Sequence, residues 1–123
     1  MPDAIDILYA HLRTVRLPAA GMEEAAIRDL LARHCFAAGL YAQVEYRFAP
    51  RCRADIYVAG VVIEVKKRRP PTADVLCQLA RYAAAPRCTG IILVLEKSVA
   101  LPDTIEGKPV RILSLNSLWG VAV

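Results

Sequence analysis

The chain has 123 residues, a length that fits one domain, so one functional site is expected. Hydrophobic residues make up 56% of it and Phe and Trp are scarce, so Ala, Val, Ile and Leu must build most of a folded core. The longest apolar run, residues 91–95, is too short to cross a bilayer, and a net charge of +4 mildly favours an anionic partner such as nucleic acid.

The first third of the chain shows helical periodicity. Apolar residues predict an amphipathic helix over residues 3–15, before Pro18 and Gly21 break the pattern. A second helix is predicted over residues 22–38, and Gly39 should end it in a left-handed conformation.

Three strand-like runs rich in Val, Ile and Tyr follow, and they predict an antiparallel meander: residues 43–48, 53–58 and 61–66. After them, a helix is predicted over residues 73–85, capped by Thr72. Residues 91–95 lack polar alternation and should form a central strand that is covered on both faces.

The tail predicts a loop over residues 101–108, a strand over 110–113 and a short ending through Leu118 and Trp119. The expected architecture is one α/β domain with a mixed central sheet flanked by helices. Its expected parts are an N-terminal amphipathic helix, a core and a C-terminal extension of the sheet: residues 1–17, 21–97 and 98–123.

The cysteine pattern indicates reduced thiols. No CxxC spacing occurs and no secretory signal is evident, so a cytoplasmic protein is expected, without a membrane partner. His11 and His34 share no spacing with Cys or Asp that suggests zinc. The four cysteines are Cys35, Cys52, Cys77 and Cys88.

The informative stretch is the hairpin around Ala59 and Gly60, which can form a two-residue loop. That loop would set Asp55 opposite Glu64, with both carboxylates on one side of the sheet. Such a pair costs about 0.2 to 1 kcal/mol even when solvated, unless a cation or a shared proton neutralises it. Lys66 lies two residues beyond Glu64 and should share its face. An ordinary solvated face of an alternating hairpin would show the same residues, so spacing alone leaves that alternative open.

Two helical features add to this constellation. Gln78 and Tyr82 lie one turn apart on the stripe expected to face the sheet, where they could support the site or simply be a buried Gln bonded to carbonyls beside a core aromatic. Glu24, in the first turn of the second helix, could add a third carboxylate. Stabilisation of the helix dipole explains Glu23 and Glu24 equally well.

Taken in order, these residues resemble the PD-(D/E)xK nuclease superfamily, which has the restriction-endonuclease-like fold. The matching residues are Asp55, then Glu64 and Lys66 around Val65 on the next strand. The order helix, three strands, helix, strand also matches, giving an αβββαβ core with an extra N-terminal helix. Gln78 and Tyr82 look like the Gln-x-x-x-Tyr helix motif of exonuclease-like and RecB-like branches. Ala54 stands where many members carry Pro before the Asp.

The resemblance implies metal-dependent hydrolysis of phosphodiester bonds, in DNA rather than RNA. Asp55 and Glu64 would bind Mg²⁺ or Mn²⁺ with the carbonyl of Val65, and Lys66 would position the nucleophilic water. Gln78 and Tyr82 would support the site, and Glu24 would complete the acidic cluster.

A basic run leaves the proposed site and could hold flanking phosphates. Charges that shield the end of a strand are an equal alternative. The candidate nucleic-acid-binding residues are Lys67, Arg68, Arg69 and Arg53, with Arg47 and Arg51 as an extension.

Two other functions remain open: a catalytically inactive nucleic-acid-binding subunit with the same fold, and a protein-interaction domain. In the second, the first helix would dock a partner or another copy through its apolar face, which carries Ile5, Leu8, Tyr9 and Leu12. A homodimer would also suit a nuclease, because two sites related by a twofold axis could cut both strands of a duplex.

Overall fold

A computed structural model describes residues 3–17, 22–67, 72–96 and 100–118. Helices flank one mixed sheet in an α/β arrangement. None of the helices in these ranges is long and apolar enough to span a membrane. The elements are α1 (Ala4–Leu12), α2 (Glu24–Ala37), β1 (Gln43–Ala49), β2 (Cys52–Val58), β3 (Val61–Lys66), α3 (Thr72–Ala83), β4 (Gly90–Leu95), β5 (Thr104–Ile105), β6 (Lys108–Ser114) and α4 (Leu115–Leu118).

The sheet has the strand order β1-β2-β3-β4-β6-β5. Strands β1, β2 and β3 form the predicted antiparallel meander. Strand β4 then runs parallel to β3, because α3 carries the chain back across the sheet before β4 begins. The predicted central position of β4 is confirmed, since it lies between β3 and β6 and all its residues are buried.

The hairpin between β2 and β3 has the predicted two-residue loop. Ala59 and Gly60 both have positive φ, +49° and +91°, as a type I′ turn requires. Val58 is therefore the cross-strand partner of Val61, and the register predicted from the loop is confirmed as far as Ile56 and its partner Ile63.

Helices cover both faces of the sheet. On β4 the side chains alternate: Ile92 and Val94 pack with α1 and α2, and Ile91 and Leu93 pack with α3. The first helix buries its apolar face on the sheet, and the hydroxyl of Tyr9 donates to the carbonyl of Ile112 at 2.7 Å. The surface suggested for docking a partner is thus occupied by the protein's own core.

Several boundaries differ from the predictions: α1 ends at Leu12 rather than residue 15, α3 ends at Ala83 rather than residue 85, and β6 is longer than predicted at both ends. Helix α2 begins at Glu24 rather than Met22, although Gly39 has the predicted left-handed conformation with φ +81°. Thr72 is the first residue of α3, so it does not precede the helix as predicted. The loop predicted over residues 101–108 contains a small hairpin, β5 with β6, whose turn residues Glu106 and Gly107 carry only a weak hairpin signal. The predicted ending at Trp119 lies outside the described residues.

Candidate functional site: two carboxylates where β2 and β3 separate

The candidate site lies where the pairing of β2 with β3 becomes irregular. The regular pairs run from the turn to Ile56 and Ile63. Beyond them, the carboxylate of Glu64 accepts a hydrogen bond from the N–H of Asp55 at 3.2 Å, and Asp55 Oδ2 accepts one from the N–H of Val65 at 2.8 Å. Side-chain oxygens therefore accept hydrogen bonds from main-chain N–H groups of the neighbouring strand at the point where the regular β2–β3 pairing ends.

Strand β2 is distorted at Asp55. Ala54 and Tyr57 are three residues apart but pack in the same core, on the α3 side of the sheet, while Ile56 packs on the opposite side. Regular alternation would place residues three apart on opposite faces. On β1, Glu45, which lies between the partners of Ala54 and Ile56, has a φ of +49°. Asp55 is therefore not the simple cross-strand partner that alternation predicted.

Glu64 is buried among these groups, with 5% of its surface exposed. Burial, and then the nearby charge of Asp55, raise its pKa to about 8, against the opposing effects of Lys66 and the hydrogen bond from Asp55. A carboxylate in this environment is not part of a solvated face, so that alternative is wrong for Glu64. The buried carboxylate of Glu64 instead favours the binding of a proton or a cation at the site.

The pKa of Asp55 is also raised, chiefly by burial, while the N–H of Val65 and the charge of Lys66 act in the opposite direction. Lys66 is half-buried and lowers the pKa of both acids, which places its positive charge next to the pair. The three residues predicted from the hairpin are therefore brought together. The alternation did not predict that each carboxylate also accepts a hydrogen bond from a main-chain N–H.

Helix α3 brings Gln78 and Tyr82, the pair predicted on its inward stripe, into hydrogen bonds with each other and with β2. The hydroxyl of Tyr82 donates to the carbonyl of Arg53 at 2.9 Å, and Gln78 Nε2 donates to that hydroxyl at 3.1 Å. Tyr82 is buried, and its pKa is raised to about 12 by burial and by the charge of Glu64. Gln78 thus bonds to a side-chain oxygen, and the pair fixes the main chain of β2 two residues before Asp55.

Of the two acids at the start of α2, Glu24 is the one that reaches the site. Glu24 Oε1 accepts a hydrogen bond from the N–H of Lys67 at 2.9 Å, and its charge raises the pKa of Asp55. Glu23 is the N-cap residue, and its side chain makes no capping hydrogen bond. Glu24 therefore ties the end of β3 to α2, on the flank of the carboxylate pair.

The donor atoms suit a hard divalent cation. Mg²⁺ is commonly held by only one or two carboxylates and keeps several waters. Half-buried Asp55 and buried Glu64, whose pKa values are raised by burial and then by nearby negative charge, form such a donor set. No group of three or more His, Cys, Asp and Glu side chains arranged to hold a metal occurs among residues 3–17, 22–67, 72–96 and 100–118. A metal here would be held by Asp55 and Glu64 with the carbonyl of Val65, and Glu24 lies at its edge.

The carboxylates open into a cleft with a volume of about 460 Å³. Arg53, predicted to contact nucleic acid, lines it, and so do Arg47 and Arg51. Lys67 is half-buried beside Glu24, and Arg68 and Arg69 lie outside the described residues. The sequence predicts Arg47 and Arg51 only as an extension of the basic run, whereas in the structure they line the same cleft as the carboxylates.

Comparisons of the chain with protein-family models, with curated proteins and with solved structures found no match.

Proposed function

We propose that the chain is a metal-dependent nuclease with the restriction-endonuclease-like core of the PD-(D/E)xK superfamily, and that it hydrolyses phosphodiester bonds in DNA. The observation that carries this proposal is the pair of half-buried Asp55 and buried Glu64, joined through main-chain hydrogen bonds at the separation of β2 and β3. Lys66 stands next to the pair. Two acids and one base of this kind serve phosphoryl hydrolysis when a divalent cation is present.

The chemistry divides between the cation and the chain. Mg²⁺ or Mn²⁺, when bound, lowers the pKa of a water and screens the extra charge of the phosphodiester transition state. Asp55, Glu64 and the carbonyl of Val65 would hold and orient the cation. Lys66 holds a proton near the attacking water and offsets negative charge on the phosphate, a role that a positioned ammonium group can fill.

The surrounding contacts support precise placement of these groups. Asp55 Oδ2 and Glu64 Oε1 each accept a main-chain N–H, so the orientations of both carboxylates are restricted before a ligand binds. Tyr82 and Gln78 hold Arg53, and with it the strand that carries Asp55. Preorganisation of this kind reduces the reorganisation needed during the reaction.

The choice of DNA rests on the resemblance alone, so the test covers several substrates. The purified protein is incubated with single-stranded, duplex and branched DNA and with RNA, with and without Mg²⁺ or Mn²⁺. We expect cleavage only with the metal, and we expect Glu64→Gln and Lys66→Ala to abolish it. Lys67→Ala should keep most of kcat and raise only KM, because the side chain of Lys67 is a candidate contact to flanking phosphates. The matched lysine control separates loss of one particular ammonium from loss of basic charge near the site.

Two outcomes would overturn the proposal. DNA bound but never cut, under every metal condition, would favour a catalytically inactive nucleic-acid-binding subunit. Cleavage that persists in Glu64→Gln would point to a contaminating enzyme or to another site. Analytical ultracentrifugation of the same samples tests for the homodimer that would let two sites act on a duplex.

A further inference from the structure

Three arginines lie together on the β1–β2 hairpin. Arg47 on β1 and Arg53 on β2 are cross-strand partners, and Arg51 lies in the turn between the strands. All three are exposed, and all three line the cleft that contains Asp55 and Glu64. Like charges directly opposite each other destabilise a pair of strands. The hairpin therefore carries a repulsive arrangement on the wall of the candidate site.

The ion pairs of the described residues do not include these three arginines. Within the described part of the chain, the ion pairs join Arg28 with Asp29 and Glu45, and Arg111 with Asp6. Among these described pairs, Arg47, Arg51 and Arg53 take part in none. Their charges are therefore free to attract an anion into the cleft.

The hairpin is attached to the opposite wall through its main chain. Arg81 Nε donates to the carbonyl of Arg51 at 3.1 Å, and the hydroxyl of Tyr82 donates to the carbonyl of Arg53 at 2.9 Å. The same Tyr82 lies close enough to Glu64 to affect its pKa. The main chain that carries Arg51 and Arg53 is thus fixed relative to the carboxylates, while the guanidinium groups stay available in the cleft.

We propose that Arg47, Arg51 and Arg53 form a subsite for a second phosphate of the same strand, adjoining the phosphate that is cleaved. The preferred substrate is then an oligonucleotide strand that passes over the β1–β2 turn, and not an isolated phosphodiester. Guanidinium groups suit this role because they bind phosphate oxygens in a fixed fork. The identity of the cleaved phosphate rests on the proposed function, whereas the affinity of the arginines for the strand does not.

The first test measures binding without metal. The affinity of a fluorescein-labelled single-stranded oligodeoxynucleotide is measured by anisotropy in EDTA, from about 50 to about 200 mM salt. In Arg47→Gln and Arg53→Gln, we expect the slope of log affinity against log salt to become shallower by about 0.7 for each phosphate that the variant no longer neutralises. Arg33→Gln is the matched control, because Arg33 is an exposed arginine on α2 that does not line this cleft. Equal slopes for the wild type and all three variants would overturn the subsite.

The second test separates the subsite from the cleavage chemistry. Hydrolysis of bis(p-nitrophenyl) phosphate, which carries a single phosphate, is compared with cleavage of the oligonucleotide in Mn²⁺. In Arg47→Gln and Arg53→Gln, kcat/KM for the oligonucleotide should fall several-fold more than kcat/KM for the small diester, mainly through KM. Equal losses for both substrates would overturn the second-phosphate assignment. If the wild type cleaves neither substrate but the arginine variants lose binding, the proposed nuclease fails and the subsite stands.

The arginine variants should fold. Their side chains are exposed, and the hydrogen bonds of this hairpin to α3 use main-chain carbonyls that the substitutions keep. Removal of one member of the Arg47–Arg53 pair relieves repulsion, so the Tm of either variant should equal or exceed that of the wild type. A lower Tm would contradict the arrangement from which the subsite is inferred.

Discussion

Asp55 and Glu64 are connected through main-chain groups: the N–H of Asp55 donates to Glu64 Oε1 at 3.2 Å, while the carboxylate of Asp55 accepts the N–H of the residue after Glu64. The two acids that would carry the chemistry therefore also complete the end of the β2–β3 pairing. A change at either position acts on the chemistry and on the fold together. The experiments below separate these effects with matched variants and with measurements of stability.

In the absence of metal, stability should fall as the pH rises. Folded Glu64 holds its proton up to about pH 8, whereas an unfolded glutamate loses it near 4.5. Between these values the folded state binds more protons, so the free energy of unfolding decreases with pH. The raised pKa of Asp55 acts in the same direction. The Tm measured in EDTA from about pH 4.5 to about pH 8 should decline for the wild type and much less for Glu64→Gln. A wild-type Tm that rises across this interval would contradict the burial of Glu64 as a raised-pKa acid.

Divalent metal should reverse that loss of stability, and Glu24 should contribute. Metal binds the ionised carboxylates, so Mn²⁺ should raise the Tm more at the upper end of this pH interval than at the lower end. Glu24→Gln should weaken the Mn²⁺-induced increase, because the charge of Glu24 acts on Asp55. Glu23→Gln is the matched control, because it removes a neighbouring acid of the same charge. It should leave the Mn²⁺-induced increase in Tm unchanged, because Glu23 is an exposed N-cap residue. An equal effect of both variants would assign Glu24 to the helix terminus alone.

Tyr82 should stabilise the fold through its hydroxyl. Tyr82→Phe keeps the ring but leaves the carbonyl of Arg53 without this donor and Gln78 without its acceptor. The free energy of unfolding should decrease by about 1 to 3 kcal/mol, measured by urea denaturation. Tyr41→Phe is the control, because the side chain of Tyr41 is 73% exposed, and it should change stability by less than about 0.5 kcal/mol. Equal stability of the two variants would show that the hydroxyl does not hold β2.

Lys66 and Lys67 should differ in their effect on cleavage. The charge of Lys66 lowers the pKa of both Asp55 and Glu64, and the proposal gives it a direct role beside the attacking water. Lys66→Met should reduce the cleavage rate by about 10²- to 10⁴-fold, with its optimum moved to higher pH. Lys67→Met should keep most of kcat and change mainly KM, since the main-chain N–H that binds Glu24 is retained and the side chain is a candidate contact to flanking phosphates only. Similar losses in both variants would show that only the overall positive charge matters. Circular dichroism checks that each variant is folded.

The fold followed from the sequence wherever a local rule decided it. The Ala59–Gly60 loop fixed the β2–β3 register because a two-residue hairpin needs positive φ at both positions. The unbroken apolar run of β4 identified the central strand, because only a strand covered on both faces lacks polar alternation. The β5–β6 hairpin was not predicted because its turn residues Glu106 and Gly107 are a weaker hairpin signal than Asn-Gly or Asp-Gly.

The sequence by itself determined which candidate side chains share a face, because strand and helix periods place Glu64 with Lys66, and separately Gln78 with Tyr82. Only the tertiary structure decided how they interact. At the distortion of β2, the carboxylate of Asp55 accepts the N–H of Val65. The packing of α2 brings Glu24, and not Glu23, into a hydrogen bond with the N–H of Lys67. No periodic pattern in the sequence predicts which side chains of elements far apart in the chain will contact each other. The burial that raises the pKa of Glu64, and the cleft shared with Arg47 and Arg51, therefore emerge only when the layers pack together.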